Sequence, residues 1–223
     1  MRLLSVNVSL AKELVHESRR ITTGILKTPV PGRVQVRRLG LDGDQQVDRR
    51  VHGGPFMAVY AYAIENYRYW EEALGGVDLP PGHFGENLTM EGLTDDVAHV
   101  GDIFTIGETI LQVTQPRLPC STLGARMGDV TFPKRFLAAG RLGFYLRVLH
   151  EGSVGAGDAI RRTAEGEGRM TVHRIGRLRK VETKDLEGAR SALAIESLSP
   201  VWREAFERRL ANAGRDVTME ERR

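Results

Sequence analysis

Short stretches of this chain alternate apolar and polar residues with a period of two, and glycine-bearing turns part them. The opening run, Met1-Arg2-Leu3-Leu4-Ser5-Val6-Asn7-Val8, reads as a strand. Thr22 to Lys27 and Val34 to Arg38 read as two more, divided by the turn Thr28-Pro29-Val30-Pro31-Gly32. The clearest hairpin joins Ile103–Ile106 to Thr109–Thr114 through Gly107-Glu108, a Gly-X connection suited to a type II′ turn. A further strand spans Phe144 to His150, and a last one starts near Ala159-Ile160. One helical stretch interrupts them: Tyr60 to Leu74 places Ile64, Tyr67 and Glu71 at helical spacing and stops at Gly75-Gly76. Many short strands between glycine turns predict a mainly β fold. The expected form is a closed or nearly closed β-barrel with a few helices, since closure leaves no exposed edge.

The pattern changes after Arg162. Ala164-Glu165-Gly166-Glu167-Gly168 is a polar linker, and three helical runs follow: Val172 to Leu178, Thr183 or Asp185 to Leu193, and Ser199 to Leu210. Ser199-Pro200 supplies an N-cap and a first-turn proline, and Trp202, Phe206 and Leu210 share one face. The expected division is a barrel domain over 1–163, a linker over 164–168, a three-helix domain over 169–213 and a flexible tail over 214–223. So small a bundle lacks the core to stand alone and is expected to dock on the barrel or on a partner.

Composition narrows the function classes. The chain has 223 residues, 41% of them hydrophobic and 27% charged, which is ordinary for a soluble globular protein. No apolar run approaches a membrane span and the N-terminus lacks a secretion signal, so a cytoplasmic location without a membrane partner is expected. Net charge is only +3, with basic and acidic residues interspersed, so nucleic acid is not an expected partner.

The single cysteine, Cys120, is the first pointer to chemistry. One thiol can form no internal disulfide and cannot supply a Cys-ligated iron–sulfur cluster or a Cys-rich zinc site. It is left as a buried inert thiol, a nucleophile, or one soft ligand to a metal held mostly by something else. Its setting, Gln115-Pro116-Arg117-Leu118-Pro119-Cys120, is stiffened by two prolines, carries a permanent cation and runs into polar Ser121 and Thr122. Arg117 suits bidentate binding of an oxyanion. Ser121 lacks the Gly-X-Ser-X-Gly elbow of a hydrolase nucleophile. Three further stretches are rich in glycine and polar groups: Thr22 to Lys27, Gly40 to Gly54, and Gly82 to Leu88. Glycines beside cations and amides suit a phosphate-bearing ligand. His52 could orient a ligand, transfer a proton, or cap the Gly53-Gly54 turn, and His83 is read in the same way. Asp44 and Asp48 are turn formers or proton donors. Asp102 and Asp158, each after a glycine and before an apolar stretch, are read as turn formers.

Taken in order, Thr23-Gly24-Ile25 with Lys27, Gly40-Leu41-Asp42-Gly43-Asp44, His52-Gly53-Gly54, Phe84-Gly85-Glu86-Asn87-Leu88, Gly101-Asp102 and Gln115 to Cys120 resemble the MOSC-domain family. The YiiM-like branch, which carries a small three-helix domain after the barrel, is the most similar. The resemblance implies the molybdenum cofactor, with Cys120 as the metal ligand. It places Lys27, Arg117, Asn87, Gly53, Gly54 and Gly85 in the cofactor-binding set, and His52 and Asp44 with Cys120 in the catalytic set. The implied activity is reduction of N-hydroxylated compounds, such as N-hydroxylated purines or amidoximes, to the parent amine, a detoxification of N-hydroxylated bases. The chain has neither the cysteines for an iron–sulfur cluster nor a flavin signature, so the expected electron donor is a separate flavoprotein, with the helical domain as a landing surface. A homodimer is compatible with this reading. Where relatives continue after His-Gly-Gly with an acidic residue and a lysine, this chain has Pro55-Phe56-Met57, which makes the pocket less basic there. Two rival readings are a persulfide or cofactor carrier that uses Cys120, and a non-catalytic barrel for an anionic ligand.

Overall fold

The computed structural model describes residues 1–17, 19–47 and 53–220. Its centre is an eight-stranded sheet in the order β13-β9-β10-β11-β7-β8-β1-β4. These are β1 (Arg2–Val8), β4 (Thr28–Pro29), β7 (Val59–Ala63), β8 (Leu88–Glu91), β9 (Ile103–Ile106), β10 (Thr109–Pro116), β11 (Phe144–His150) and β13 (Ile160–Ala164). The pairing is antiparallel except between β7 and β8, which run parallel. A second sheet orders β12 (Gly152–Gly155), β5 (Arg33–Arg37) and β6 (Gly40–Leu41), and a separate hairpin pairs β2 (Lys12–His16) with β3 (Arg19–Thr23).

The fold is sheet-dominant, but no sheet closes into a barrel, which corrects the expected closure. β13 approaches β1 through one isolated bridge, Arg2 to Ala159, and through backbone bonds such as Leu3 N–H to Asp158 O (2.9 Å). The far edge, β4, is two residues long and ends at Pro29, which has no N–H to extend a ladder. Three strands of the chain also leave for the β12-β5-β6 sheet, so the sheet ends stay unpaired with each other.

The hairpin of β9 and β10 and the strands at the N-terminus, Arg33–Arg37 and Phe144–His150 lie where the residue pattern placed them. Two spans differ. The helix expected from Tyr60 begins at Ile64: Val59–Ala63 is a strand, buried at every residue between β11 and β8. Burial on both faces removes the alternation that identifies a half-exposed strand. The helix, α1 (Ile64–Ala73), does stop at Gly75-Gly76, both in the left-handed region and both bonded back to the last turn. The strand expected over Thr22 to Lys27 ends at Thr23, and the chain then turns sharply, with Lys27 N–H on Ile25 O. Two helices went unread, α2 (Ser121–Met127) and α3 (Phe132–Ala139), each closed by a left-handed glycine.

The last three helices are α4 (Val172–Lys180), α5 (Leu186–Leu193) and α6 (Pro200–Glu220). α6 continues beyond Leu210 to Glu220, into the span expected to be a flexible tail. Ile175, Leu178, Trp202 and Phe206 belong to the same buried cluster as Leu3, Val113 and Leu146, so the helices share the core of the sheet. The segment before them is tied down as well: Gly166 N–H reaches the buried Asp102 carboxylate (2.8 Å), which also takes His99 N–H. A second, aromatic core gathers Tyr60, Tyr62, Tyr67, Trp70, Phe84, Phe132 and Phe136. The candidate site lies over it.

Candidate functional site

One cavity of about 160 Å³ brings together Lys27, Asp44, Gly85, Asn87, Arg117 and Cys120, six of the nine residues in the expected cofactor-binding and catalytic sets. They come from four separate segments, and local structure explains each placement. Pro116 ends β10. Arg117 N–H then bonds Gly143 O (3.0 Å), and Cys120 adopts an extended backbone as the residue before α2. The prolines and that bond fix the segment, leaving the Cys120 side chain half-buried at the cavity wall.

Arg117 is buried, with its guanidinium 5.2 Å from the centre of the Tyr60 ring and 5.4 Å from that of Phe136. Stacking on two rings holds the planar group in place. Burial works against its charge, but Tyr60, Cys120 and Tyr145 outweigh that and raise its affinity for the proton. Its Nη1 has no acceptor among the described residues.

Lys27 and Asp44 form a buried ion pair. Burial pulls the lysine below its ordinary proton affinity, and Asp44 opposes the shift. Asp44 also accepts Ser9 N–H (3.0 Å) and the Asn87 amide (3.0 Å). Asn87 further donates to Asn7 O (3.3 Å) and accepts Tyr60 N–H (3.1 Å). Both side chains therefore lash loops to β1 and β7, and their hydrogen-bonding groups are already taken. That argues for positioning rather than proton donation by Asp44 or direct ligand binding by Asn87.

Two glycines let the walls approach. A Cβ on Gly24 would sit 2.1 Å from Gln45 O, and one on Gly85, at φ 82°, would lie 2.7 Å from Ile25 Cγ1. The Gly82–Gly85 turn is organised from below by buried Glu86, whose Oε1 accepts Gly82 N–H (2.7 Å), Thr89 Oγ1–H (2.7 Å) and the Tyr67 hydroxyl. Burial pushes the Glu86 carboxyl up.

The remaining sequence candidates are placed differently. His52 and Asp48 lie outside the described residues. Gly53 and Gly54 are not among the cavity-lining residues; Gly54, at φ 89°, starts the turn Pro55–Met57, whose Met57 does line the cavity. His83 packs beside Arg126 instead, and burial together with that cation pushes it down to about 4. Sequence reasoning missed Tyr60 and Tyr145, and gave no role to Phe84, Gln45 and Gln46 within the stretches it singled out; all five line the cavity. Tyr145 carried a signal: it alternates with Phe144, Leu146 and Val148, so it points away from their core face.

Family models match the chain as a MOSC domain over residues 48–161 and as a YiiM-like three-helix domain over 170–213. The chain belongs to the MOSC-domain family. It is 37% identical to YflK of Bacillus subtilis over 203 residues, 91% of each chain. The crystal structure of YiiM from Geobacillus stearothermophilus superposes with a TM-score of 0.79 at 34% identity, over 94% of this chain and 98% of that one. A Gibberella moniliformis protein named a reductase is 33% identical over 148 residues, 63% of this chain but 25% of its own length. Membership makes the MOSC domain here a candidate molybdenum cofactor domain. No helix among the described residues is long and apolar enough to cross a membrane.

The donor set fits that cofactor. Among the described residues no cluster of His, Cys, Asp and Glu could hold a metal on its own, so one thiolate would serve a metal brought by an organic chelator. Arg117, with a guanidinium nitrogen lacking an acceptor, and Lys27 supply cations for a phosphate. Gly24 and Gly85 let the loops that line the cavity pack closely on Gln45 and Ile25.

Proposed function

We propose that this chain holds the molybdenum cofactor in the Cys120 cavity and reduces N-hydroxylated compounds to the parent amine. The observation that carries the reading is the placement of the chain's only cysteine in the same cavity as Arg117 and Lys27. Bound there, the cofactor would supply the two-electron oxygen-accepting chemistry that no protein side chain offers. The net reaction is R–NH–OH plus two electrons and two protons giving R–NH2 and water, with the electrons from a separate flavoprotein reductase. Cys120 provides the soft ligand, Arg117 and Lys27 neutralise the phosphate, and the stacked rings of Tyr60 and Phe136 keep Arg117 in register. Asp44 and Asn87 hold the loops that carry these groups. Met57, Phe84, Tyr60 and Tyr145 give the cavity an apolar and aromatic lining suited to a flat heterocyclic substrate.

The test is the molybdenum and pterin content of protein made in a host that synthesises the cofactor. About one molybdenum per wild-type chain and almost none in Cys120→Ala is the expected result, together with reduction of N-hydroxyadenine by the wild type. Wild-type protein free of molybdenum and pterin overturns the reading. A persulfide on Cys120 in such protein would favour the sulfur-carrier alternative.

A further inference from the structure

Tyr145 is set apart from the other tyrosines around the site. Tyr60 donates its hydroxyl to Leu142 O (2.8 Å), Tyr62 to Arg141 O (2.9 Å) and Tyr67 to Glu86. Each is committed to the protein. Tyr145 lines the cavity with Cys120 and Thr122, and no described residue accepts its hydroxyl proton. The strand fixes its position from both sides: in register it faces Gln115 of β10 and Tyr60 of β7, and its carbonyl takes the Thr114 hydroxyl (3.1 Å). Its ring packs 5.3 Å from that of Tyr60. Tyr145 is only half-buried, and the space it borders is the cavity. Burial raises the phenol's hold on its proton despite Arg117, so the donor is present at neutral pH.

We propose that Tyr145 is a catalytic residue that donates a hydrogen bond to the substrate oxygen lost as water when the N–O bond breaks. The inference rests on the reductase reading above and adds the residue that recognises the N–OH group. A donor fixed before reaction, in a partly desolvated cavity, favours the charge that grows on the departing oxygen. It also separates substrate from product, because the parent amine lacks the oxygen that Tyr145 would bind.

The experiment compares oxidised holoenzyme with its Tyr145→Phe variant, which keeps the ring and its packing. Molybdenum and pterin content is measured first and is expected to match the wild type. Equilibrium binding without reductant is then measured for N-hydroxyadenine and for adenine. Loss of one neutral hydrogen bond weakens N-hydroxyadenine by about five- to tenfold and leaves adenine within about twofold. With reductant, kcat for N-hydroxyadenine falls by about 100-fold. Equal effects on both ligands, or a loss of molybdenum, overturn the proposal by reducing Tyr145 to packing or cofactor support while the reductase reading stands. A wild type with neither cofactor nor N-hydroxyadenine binding fails both.

Discussion

Asp44→Ala isolates what the buried ion pair does. Lys27 is 8% exposed and Asp44 2% at the side chain, and Asp44 is the sole acceptor of the lysine among the described residues. Two unit charges about 3 Å apart attract by about 5 kcal/mol at an effective dielectric near 20. Removing one partner leaves a buried charge, which costs about 3–5 kcal/mol. The reverse change, Lys27→Met, is milder at about 1–2 kcal/mol, because Asp44 keeps Ser9 N–H and the Asn87 amide. This asymmetry is the assayable quantity. Urea unfolding followed by fluorescence, with an unchanged slope near 2–3 kcal/mol per molar, would place the Asp44→Ala midpoint about 1–2 M below wild type and Lys27→Met less than 1 M below. The deficit of Asp44→Ala also shrinks with pH. Lys27 in the folded variant sits below the ordinary value of 10.5, so the unfolded chain binds more protons between those two points, and folded stability climbs as pH rises through that window. Equal losses for the two variants, or a loss under 1 kcal/mol for Asp44→Ala, would refute the account.

Two further outcomes follow from the geometry. His83 is pushed down to about 4 from an ordinary 6.5, so the unfolded chain binds the extra proton between them. Stability is complete above about pH 6.5 and declines toward pH 4 by about 1–2 kcal/mol after discounting for partial exposure, and His83→Gln removes that slope in a pH series of urea melts. Gly24→Ala would press a methyl 2.1 Å from the Gln45 carbonyl, so the loop must move. More than 2 kcal/mol of destabilisation, or a fall in molybdenum content at unchanged stability, is expected, and a silent substitution would show that the approach of these loops is not tight.

The parts of the fold legible from sequence were those with one face exposed. The β9–β10 hairpin and Phe144–His150 alternate core and solvent positions and lie close to their expected bounds; the three terminal helices start near theirs, but α6 runs past Leu210 to Glu220. Val59–Ala63 carried no such alternation, because every residue is buried. Barrel closure could not be read at all, since it depends on whether the first and last strands meet, and Pro29 and the separate β12-β5-β6 sheet decide that. The site showed the same division. Its glycine loops and the Pro-X-X-Pro-Cys segment were visible as local chemistry. The roles of Asp44 and Asn87 were not, because their partners, Ser9, Asn7 and Tyr60, are remote in sequence.

The cavity lies over the aromatic core and is tied to the larger one through β1, so a few groups suffice to hold it. Lys27, Asp44 and Asn87 tie one wall to β1, whose Leu3 and Val6 lie in the larger core. Arg117 and Phe84 fasten the other wall to the aromatic core through Tyr60, Phe136 and Tyr62. Tyr60 belongs to both walls, since its backbone pairs with Asn87 and its ring lies under Arg117. A change on one wall therefore reaches the other through a single buried residue on a central strand rather than through flexible loops. Sites supported in this way are held near one geometry before the ligand arrives, and the ordering cost of binding is correspondingly small. The glycines at Gly24 and Gly85 set how closely the walls approach, and Tyr145, Thr122 and Cys120 line the space between them.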